Sequence, residues 1–217
     1  MAPKKSKSRQ VVSISEILRV AEELPDQSIS LRSVGQKLGI SGQALYRYVD
    51  STEHLIELVA LARWPSPDGL PDVSLGWHDW YRQALEQLRQ SFINHPGLSR
   101  PAATSGRLSS NQLLFTERGL QVFAHAGVPP AEGILYFRIL VHATLDHVVR
   151  CHQHAGGKGE SYLQSFWDAV RDSEEVLPLL DDLVADHRKI TPEEAFEFNI
   201  STLLLGIAEK ARLKIEV

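Results

Sequence analysis

Apolar residues recur every three to four positions through most of the chain, and this period predicts a helical protein. The pattern is sharpest in residues 30–48, SLRSVGQKLGISGQALYRY, which predicts two short helices joined by a tight turn. Gly39 falls where a left-handed residue ends a helix, and Ser41 can cap the helix that follows. The buried stripe of the first of these helices is Leu31, Val34 and Leu38.

The second short helix carries side chains suited to contact a partner. Its predicted buried positions are Ala44, Leu45 and Val49. A helix this short is marginal in water by itself, so exposed aromatic and basic groups indicate a surface shaped for another molecule. The outward positions are Gly42, Gln43, Tyr46, Arg47 and Tyr48.

The remaining pattern predicts an all-α fold with two domains. Pro25 stops the first helix, and Asp50 or Ser51 can cap the fourth. The segment 65–74, PSPDGLPDVS, is the strongest Pro/Gly break in the chain. It predicts a boundary between an amino-terminal domain, 1–64, and a carboxy-terminal domain, 74–217. The predicted helices span about 14–24, 30–37, 41–47, 51–62, 74–94, 111–126, 131–153 and 192–213, with shorter pieces between 161 and 188.

Charge is distributed unevenly along the chain. Residues 1–63 carry nine Lys or Arg and seven Asp or Glu, whereas the chain of 217 residues has a net charge of −4. Four of the nine cations lie in the first ten residues, which contain no acid. Such an arm is suited to phosphate attraction, and equally to a solvated disordered tail.

Composition and motifs narrow the functional class. The single cysteine, Cys151, excludes an intramolecular disulfide framework and favours a reducing cytoplasm. We see neither a signal peptide nor an apolar run of the roughly 20 residues that a membrane span needs. The sequence also lacks GxSxG, P-loop and HExxH motifs, so it gives no support to an enzyme. We therefore expect a cytoplasmic protein without a membrane partner.

Residues 31–49, LRSVGQKLGISGQALYRYV, resemble the helix-turn-helix motif of TetR-family transcriptional regulators. The resemblance extends to the carboxy-terminal region, and it implies an effector-responsive repressor that binds double-stranded operator DNA as a homodimer. A helical interaction module and a ligand-independent regulator remain the alternatives. The matching carboxy-terminal pieces are HPG at 95–97, TERGLQVFAHAGV at 116–128, HATL at 142–145, and LPLLDDL followed by FNISTLLLGIAEKARLK.

The resemblance assigns DNA contacts to the amino-terminal domain. Gln43 can pair bidentately with adenine in the major groove, and Arg32 matches a family arginine that reaches guanine or phosphate. Thr52 stands where the family often has lysine. Tyr46 as a partly buried residue and Arg32 as a solvated charge are the alternatives. The predicted DNA-binding residues are Arg32, Ser41, Gly42, Gln43, Tyr46, Arg47, Tyr48 and Thr52.

The two longest helices carry the predicted dimer contact. The family packs two helices of each subunit into a four-helix interface, which here implies residues 131–153 and 192–213. Both segments are apolar over more than one face, which exceeds what one helix contact requires. An ordinary core within one subunit is the alternative.

An effector pocket is implied for the carboxy-terminal domain. His142 matches a ligand of magnesium–tetracycline in the tetracycline repressor, but Arg150 replaces an acidic residue, and Ala84 and Leu88 replace drug-contacting residues. We therefore expect an apolar or aromatic effector and no cofactor; ordinary core packing is the alternative, and Gly119 leaves space for either. The predicted pocket residues are Trp77, Trp80, Ala84, Leu88, Phe115, Gly119, Phe123 and His142.

The run of histidines around Cys151 raises a metal hypothesis. His142/Asp146 and His147/Cys151 are i, i+4 pairs, so each pair shares a helix face. The two pairs lie about 140° apart around the helix axis, which separates them. We expect packing and helix-end histidines, His152 and His154 included, with no metal.

Overall fold

The structure, a computed structural model, describes residues 12–154, 164–185 and 190–215. Within these ranges every regular element is helical, which confirms the predicted all-α fold. Single 3-10 turns lie at Asp26–Ser28 and Pro67–Gly69. The helices are α1 Ile14–Glu22, α2 Leu31–Leu38, α3 Gly42–Leu45, α4 Thr52–Ala62, α5 Trp77–Ile93, α6 Pro96–Thr104, α7 Ser110–His125, α8 Pro130–His154, α9 Gln164–Arg171, α10 Pro178–Ala185 and α11 Pro192–Ala211.

Side-chain caps explain where several of these helices begin. Ser41 accepts a hydrogen bond from the Ala44 amide, and Ser51, rather than Asp50, caps α4. The α5 helix begins at Trp77, three residues later than predicted, because residues 72–75 form a separate turn in which the Leu75 amide donates to the Asp72 carbonyl. The predicted basic arm, 1–10, lies outside the described residues.

Two glycines bring α2 and α3 into close contact. Gly39 has φ of 71°, the left-handed conformation in which glycine is favoured, and it ends α2. A Cβ atom on Gly35 would lie 3.0 Å from the Gly42 amide nitrogen and 3.0 Å from the Ile40 carbonyl oxygen. The pair of helices therefore crosses at backbone contact distance, as the sequence pattern predicts.

The connector between α4 and α5 is fastened to the helices that follow it. Trp80 Nε1–H donates to the Pro71 carbonyl at 3.0 Å, and Gln87 Nε2–H donates to the Gly69 carbonyl at 3.0 Å. At the end of α4, Trp64 meets Phe115 edge-on with ring centroids 5.8 Å apart. One continuous apolar core thus runs from the first helices into the carboxy-terminal region.

The carboxy-terminal helices pack around α8. The α5, α6, α7 and α11 helices all contact it, and α4 and α7 pack against one another as well. The α6 helix also lies against α4 and against the 3-10 turn at Asp26–Ser28. Among the described residues, no helix is both long and apolar enough to cross a lipid bilayer.

Candidate nucleic-acid interface

The outer face of α3, the turn after it and the start of α2 present polar side chains to solvent. Gln43 and Arg47 are exposed, Tyr46 is 57% exposed, and Arg32 is exposed at the first turn of α2. None of these four side chains makes a hydrogen bond or ion pair with another described residue. Their donors and acceptors are therefore available to a nucleic acid, and Tyr46 is not a core residue.

Ser41 and Gly42 have structural roles that account for their residue types. The Ser41 hydroxyl accepts from the Ala44 amide at 3.3 Å. A Cβ atom on Gly42 would lie 3.1 Å from the Leu31 carbonyl oxygen, on the side facing α2. The absence of a side chain at Gly42 is thus explained by helix packing without reference to DNA.

Tyr48 lies differently from the predicted outward position. It is half-buried and packs against the core, beside the buried residues Leu45 and Val49. The short helix ends at Leu45 and a turn follows, in which Tyr46 and Arg47 stay exposed while Tyr48 lies on the inner side. Ala44, predicted to be buried, is half-buried.

The amino-terminal end of α4 is acidic. Thr52, predicted to hold a phosphate, lies between the exposed carboxylates of Asp50 and Glu53 in the chain. The hydrogen bond with the Ser51 side chain lowers the pKa of Glu53, so this group is ionised at neutral pH. A phosphate approaching Thr52 would meet two negative charges, which weakens attraction at this position.

Most of the predicted pocket residues form a closed aromatic core. Trp80, Ala84, Leu88, Phe115 and Phe123 are each 0% exposed. The Trp80 and Phe115 ring centroids lie 6.2 Å apart, and Trp77 stacks on Phe123 at 6.1 Å. Of the predicted pocket residues, Trp77 borders a surface cleft of about 640 Å³, between the start of α5 and the end of α7.

The space beside Gly119 is filled by the side chains of neighbouring residues. A Cβ atom there would lie 2.6 Å from the Phe137 ring and 3.0 Å from the Tyr81 hydroxyl. Tyr81 donates its hydroxyl proton to the Gly119 carbonyl at 3.0 Å. Burial raises the pKa of Tyr81 well above its ordinary value, so it remains a neutral donor. In this conformation the missing side chain at Gly119 leaves space that Phe137 and Tyr81 fill.

His142 lies outside that core. It is exposed on α8, together with Leu135, Ile139 and Asp146, whereas the opposite positions of α8 are buried. The prediction that His142 borders the same pocket as Trp80 is therefore not met within one subunit. Asp146 accepts a hydrogen bond from Arg150 at 2.7 Å, the ion pair that their spacing predicts.

His147 and Cys151 lie in a separate polar cluster between α5, α8 and α11. The Cys151 sulfur is 3.3 Å from His147 Nε2, and Arg89 contacts the Phe196 ring at 5.1 Å. Burial, together with the positive charge of Arg89, lowers the pKa of His147 to about 4. Burial raises the pKa of Cys151 to about 11. Within the described residues, no three His, Cys, Asp or Glu side chains are grouped to hold a metal.

A contact that the sequence analysis did not single out joins the helix-turn-helix to the carboxy-terminal helices. His95 lies between Asp26 and Arg63, with Nδ1 3.0 Å from Asp26 Oδ1 and Nε2 2.9 Å from Arg63 Nη1. At the other end of α6, the Ser105 hydroxyl donates to Glu57 at 2.6 Å. The HPG segment is visible in the sequence, but the position of Asp26 beside it requires the fold.

Comparison with known protein families shows to which family the chain belongs. The family model described as the tetracyclin repressor-like, C-terminal domain matches residues 70–211. The chain belongs to the TetR family. This TetR-family chain is a DNA-binding transcriptional regulator by membership, and regulators of this kind act as transcription factors rather than enzymes.

Solved structures of other TetR-family proteins share the fold. The TetR-family protein ActR of Streptomyces coelicolor, in complex with actinorhodin, superimposes with a TM-score of 0.74 at 18% identity, over 93% of this chain and 99% of that one. A second S. coelicolor protein, described as a possible TetR family transcriptional regulator, gives a TM-score of 0.72 at 20% identity, over 90% of this chain and 98% of that one. A TetR variant of Acinetobacter baumannii in complex with minocycline gives 0.62 at 16% identity, over 94% and 100%.

Proposed function

We propose that this regulator is a homodimeric repressor that binds a palindromic operator through residues 41–48, which comprise α3 and the turn that follows it, and is released by a small apolar or aromatic effector. The observation that carries the proposal is the exposed face formed by α3 and the turn after it, where Gln43, Tyr46 and Arg47 have no partner among the described residues. A short helix with unpaired donors, held by backbone contact with α2, is suited to enter a major groove.

Within this face, the side chains divide into base-reading and phosphate-binding groups. Gln43 lies in the first turn of α3, the end of a recognition helix that meets base edges, and its amide can pair with adenine. Arg47 and Arg32 are exposed cations that can contact phosphates. Tyr46 adds an exposed ring and hydroxyl. We assign Ser41 and Gly42 to the geometry of the turn, with Tyr48 and Thr52 at the edge of the contact.

Exposed apolar residues on α8 and α11 support the homodimer. Leu135 and Ile139 are 59% and 48% exposed at i, i+4 on α8. Phe198 and Leu205 are 71% and 59% exposed at i, i+7 on α11. The two helices pack against each other in the subunit, so these side chains can form one apolar surface. A second copy would bury this surface and place two α3 helices on one DNA face.

The effector proposal rests on the aromatic core of the carboxy-terminal domain. Trp77, Trp80, Phe115 and Phe123 bring aromatic surface together, and two structural relatives contain the small molecules actinorhodin and minocycline. We propose a functional division into residues 1–64 for DNA and 74–217 for effector and dimer contacts. The closed packing around Gly119 favours a second candidate, a regulator that acts without a ligand.

The first experiment is a footprint of the purified protein on DNA flanking its own gene, combined with a salt titration. A protected and roughly palindromic site supports the dimeric repressor, and the logarithm of affinity should fall linearly with the logarithm of salt concentration. The protected DNA then serves as the probe for a screen of aromatic compounds by release. Weak, salt-sensitive binding without protection of any site would contradict operator recognition at the DNA tested.

Two substitutions, one on α3 and one in the turn after it, separate the roles of the exposed side chains. Gln43→Ala should cost about 1–3 kcal/mol against the correct operator and relax base preference at one position of each half-site. Arg47→Ala should weaken all sequences alike and reduce the salt slope by about 1. Unchanged base preference in Gln43→Ala, or a sequence-selective loss in Arg47→Ala, would overturn the respective assignment.

A further inference from the structure

A chain of hydrogen bonds runs from α8 to the helix-turn-helix through the corner between α5 and α6. On α8, His152 Nε2–H donates to the Ile93 carbonyl at 2.7 Å, and its Nδ1 lies 2.9 Å from the Ser99 hydroxyl. At the corner itself, His95 contacts Asp26 and Arg63. The Asp26 side chain is 7% exposed and also accepts from the Gly97 amide at 3.2 Å.

The partners of His95 determine its protonation state. A guanidinium has five donors and no acceptor, so Arg63 Nη1–H must donate to an unprotonated His95 Nε2. The carboxylate of Asp26 accepts, so His95 Nδ1 must carry the proton. The imidazole is therefore neutral, as the Nδ1–H tautomer. Among the described residues, the bond to His95 is the one hydrogen bond made by the Arg63 side chain.

We propose that His95 is a positioning residue that fixes the DNA-binding head through this neutral tautomer and makes operator binding sensitive to pH. The inference rests on the proposed operator binding and adds a regulatory input to it. One ring nitrogen holds the turn before α2 through Asp26, and the other holds the end of α4 through Arg63. The same imidazole thus ties two elements of the head to the start of α6.

Protonation of His95 would break one of these two connections. With a proton on Nε2, the ring has no lone pair for Arg63 and places a second positive charge beside the guanidinium. The contact with Asp26 persists, and becomes a bond between opposite charges. Acid therefore removes the Arg63 contact at the end of α4 while the turn at Asp26 stays attached. Asn111 still donates to the Ala62 and Trp64 carbonyls, so the head is held less firmly and not released.

The other titratable group at this corner behaves differently. His152 keeps its donor to Ile93 when protonated, and the Ser99 hydroxyl can rotate to accept from Nδ1 while it donates to the Pro96 carbonyl, 3.3 Å away. The charged groups that contact His95 are thus Asp26 from the 3-10 turn and Arg63 from α4. His152 on α8 contacts Ile93 and Ser99 at the same corner. His152 is therefore the matched control for His95, because protonation of His152 breaks neither of its hydrogen bonds.

The test measures operator affinity between pH 8 and 5.5 at constant ionic strength, the range in which histidines change charge. Affinity of the natural chain should fall by about tenfold on acidification, the effect of one hydrogen bond to a charged group. Positive charge gained elsewhere on the protein on acidification would tighten DNA binding, so a fall in affinity is opposite to that general effect.

Three variants complete the design. His95→Gln retains a donor and an acceptor without titrating, so it should bind near the natural level at pH 8 and show a flat profile. His95→Ala should be weak at both pH values, and His152→Gln should retain the acid-induced fall. Equal pH profiles for the natural chain and His95→Gln would overturn the proposal.

A second readout does not require DNA. Nitrogen-15 NMR of histidine-labelled protein at pH 8 should show His95 as the Nδ1–H tautomer, with the resonance identified by its absence in His95→Gln. An Nε2–H tautomer would overturn the proposal even if the operator is bound normally. If no operator is bound at pH 8 but the Nδ1–H tautomer is found, operator repression fails and the contact with Arg63 stands.

Discussion

At the scale of single residues, the charge at the start of α4 opposes the contact that the family resemblance implies. Thr52 stands where the family often has lysine, and the exposed carboxylates of Asp50 and Glu53 flank it in the chain. The helix dipole favours an anion at this end, but the two side chains already supply negative charge there. The DNA contact therefore depends more heavily on α3 and on Arg32.

Removal of these carboxylates should tighten DNA binding. We expect the double variant Asp50→Asn, Glu53→Gln to bind its operator about two- to tenfold more tightly at low salt, because two charges that repel phosphate are lost. The gain should shrink as salt screens the repulsion. Fluorescence anisotropy at several salt concentrations measures both effects. Glu174→Gln, an exposed acid before α10, serves as the control and should change neither.

A second prediction at this scale concerns acid stability. The pKa of His147 is lowered to about 4 in the folded protein, whereas a histidine in an unfolded chain has a pKa of about 6.5. Between these values the unfolded chain binds a proton that the folded protein does not. The free energy of unfolding should therefore fall as pH decreases from 6.5 to 4.

The matched comparison isolates this residue from other titrating groups. The natural chain should lose about 1–2 kcal/mol more than His147→Gln over the same pH interval. Urea unfolding at pH 7 and pH 4.5, followed by circular dichroism, gives both values. Identical losses in the two proteins would show that His147 is not kept neutral by its surroundings.

Residue types were easier to predict than residue environments. The sequence predicts that Gln43, Tyr46 and Arg47 point outward, and all three are exposed, although the helix itself ends at Leu45. It does not show that Tyr48 turns inward after the helix ends at Leu45, since that depends on chain geometry. The role of His95 could not be predicted from the sequence, because it depends on contact with Asp26, which is 69 positions away in the chain.

At the scale of secondary structure, close backbone contact between α2 and α3 makes the pair sensitive to one methyl group. The atoms nearest to a Cβ on Gly35 belong to the backbone of Ile40 and Gly42, which cannot move like a flexible side chain. Gly35→Ala should therefore destabilise the helix-turn-helix by about 1–3 kcal/mol through overpacking. Operator affinity should fall with it, because α3 would be displaced.

Calorimetry and operator binding together test this expectation. Gly106→Ala is the control, since no atom lies within 4 Å of its Cβ position, and it should leave both properties close to the natural values. Full operator affinity in Gly35→Ala at 25 °C would show that α2 and α3 can separate slightly without loss of the reading geometry.

Most helix boundaries were predictable because local signals define them. Gly39 ends α2 and Thr191 caps α11, where its hydroxyl accepts from the Glu194 amide at 3.1 Å. The closed state of the aromatic core was not predictable, because periodicity reports which residues are buried and not whether a cavity separates them. Gly119 on α7 illustrates this, since the space beside it is filled by Phe137, which belongs to a different helix, α8.

At the scale of the whole molecule, the apolar residues of α8 and α11 form two surfaces. One faces inward and includes Leu140, Val148, Ile200 and Leu204, each no more than 2% exposed. The other faces solvent and includes the dimer residues proposed above. A helix that is apolar on two sides has more surface than the subunit can bury, which is the signal that the sequence carried.

The final prediction tests that second surface. Phe198 is 71% exposed on α11, and Phe198→Glu places a charge in the proposed interface, where it would lose its hydration without a partner. We expect sedimentation at micromolar concentration to show a dimer for the natural chain and a monomer for the variant. Operator affinity should fall by about a hundredfold or more, because a monomer occupies one half-site without the gain from linked binding.

The control is Leu113→Glu, at a 55% exposed leucine on α7, which should remain dimeric and bind normally. If Phe198→Glu is still a dimer with full affinity, the two subunits meet through another surface.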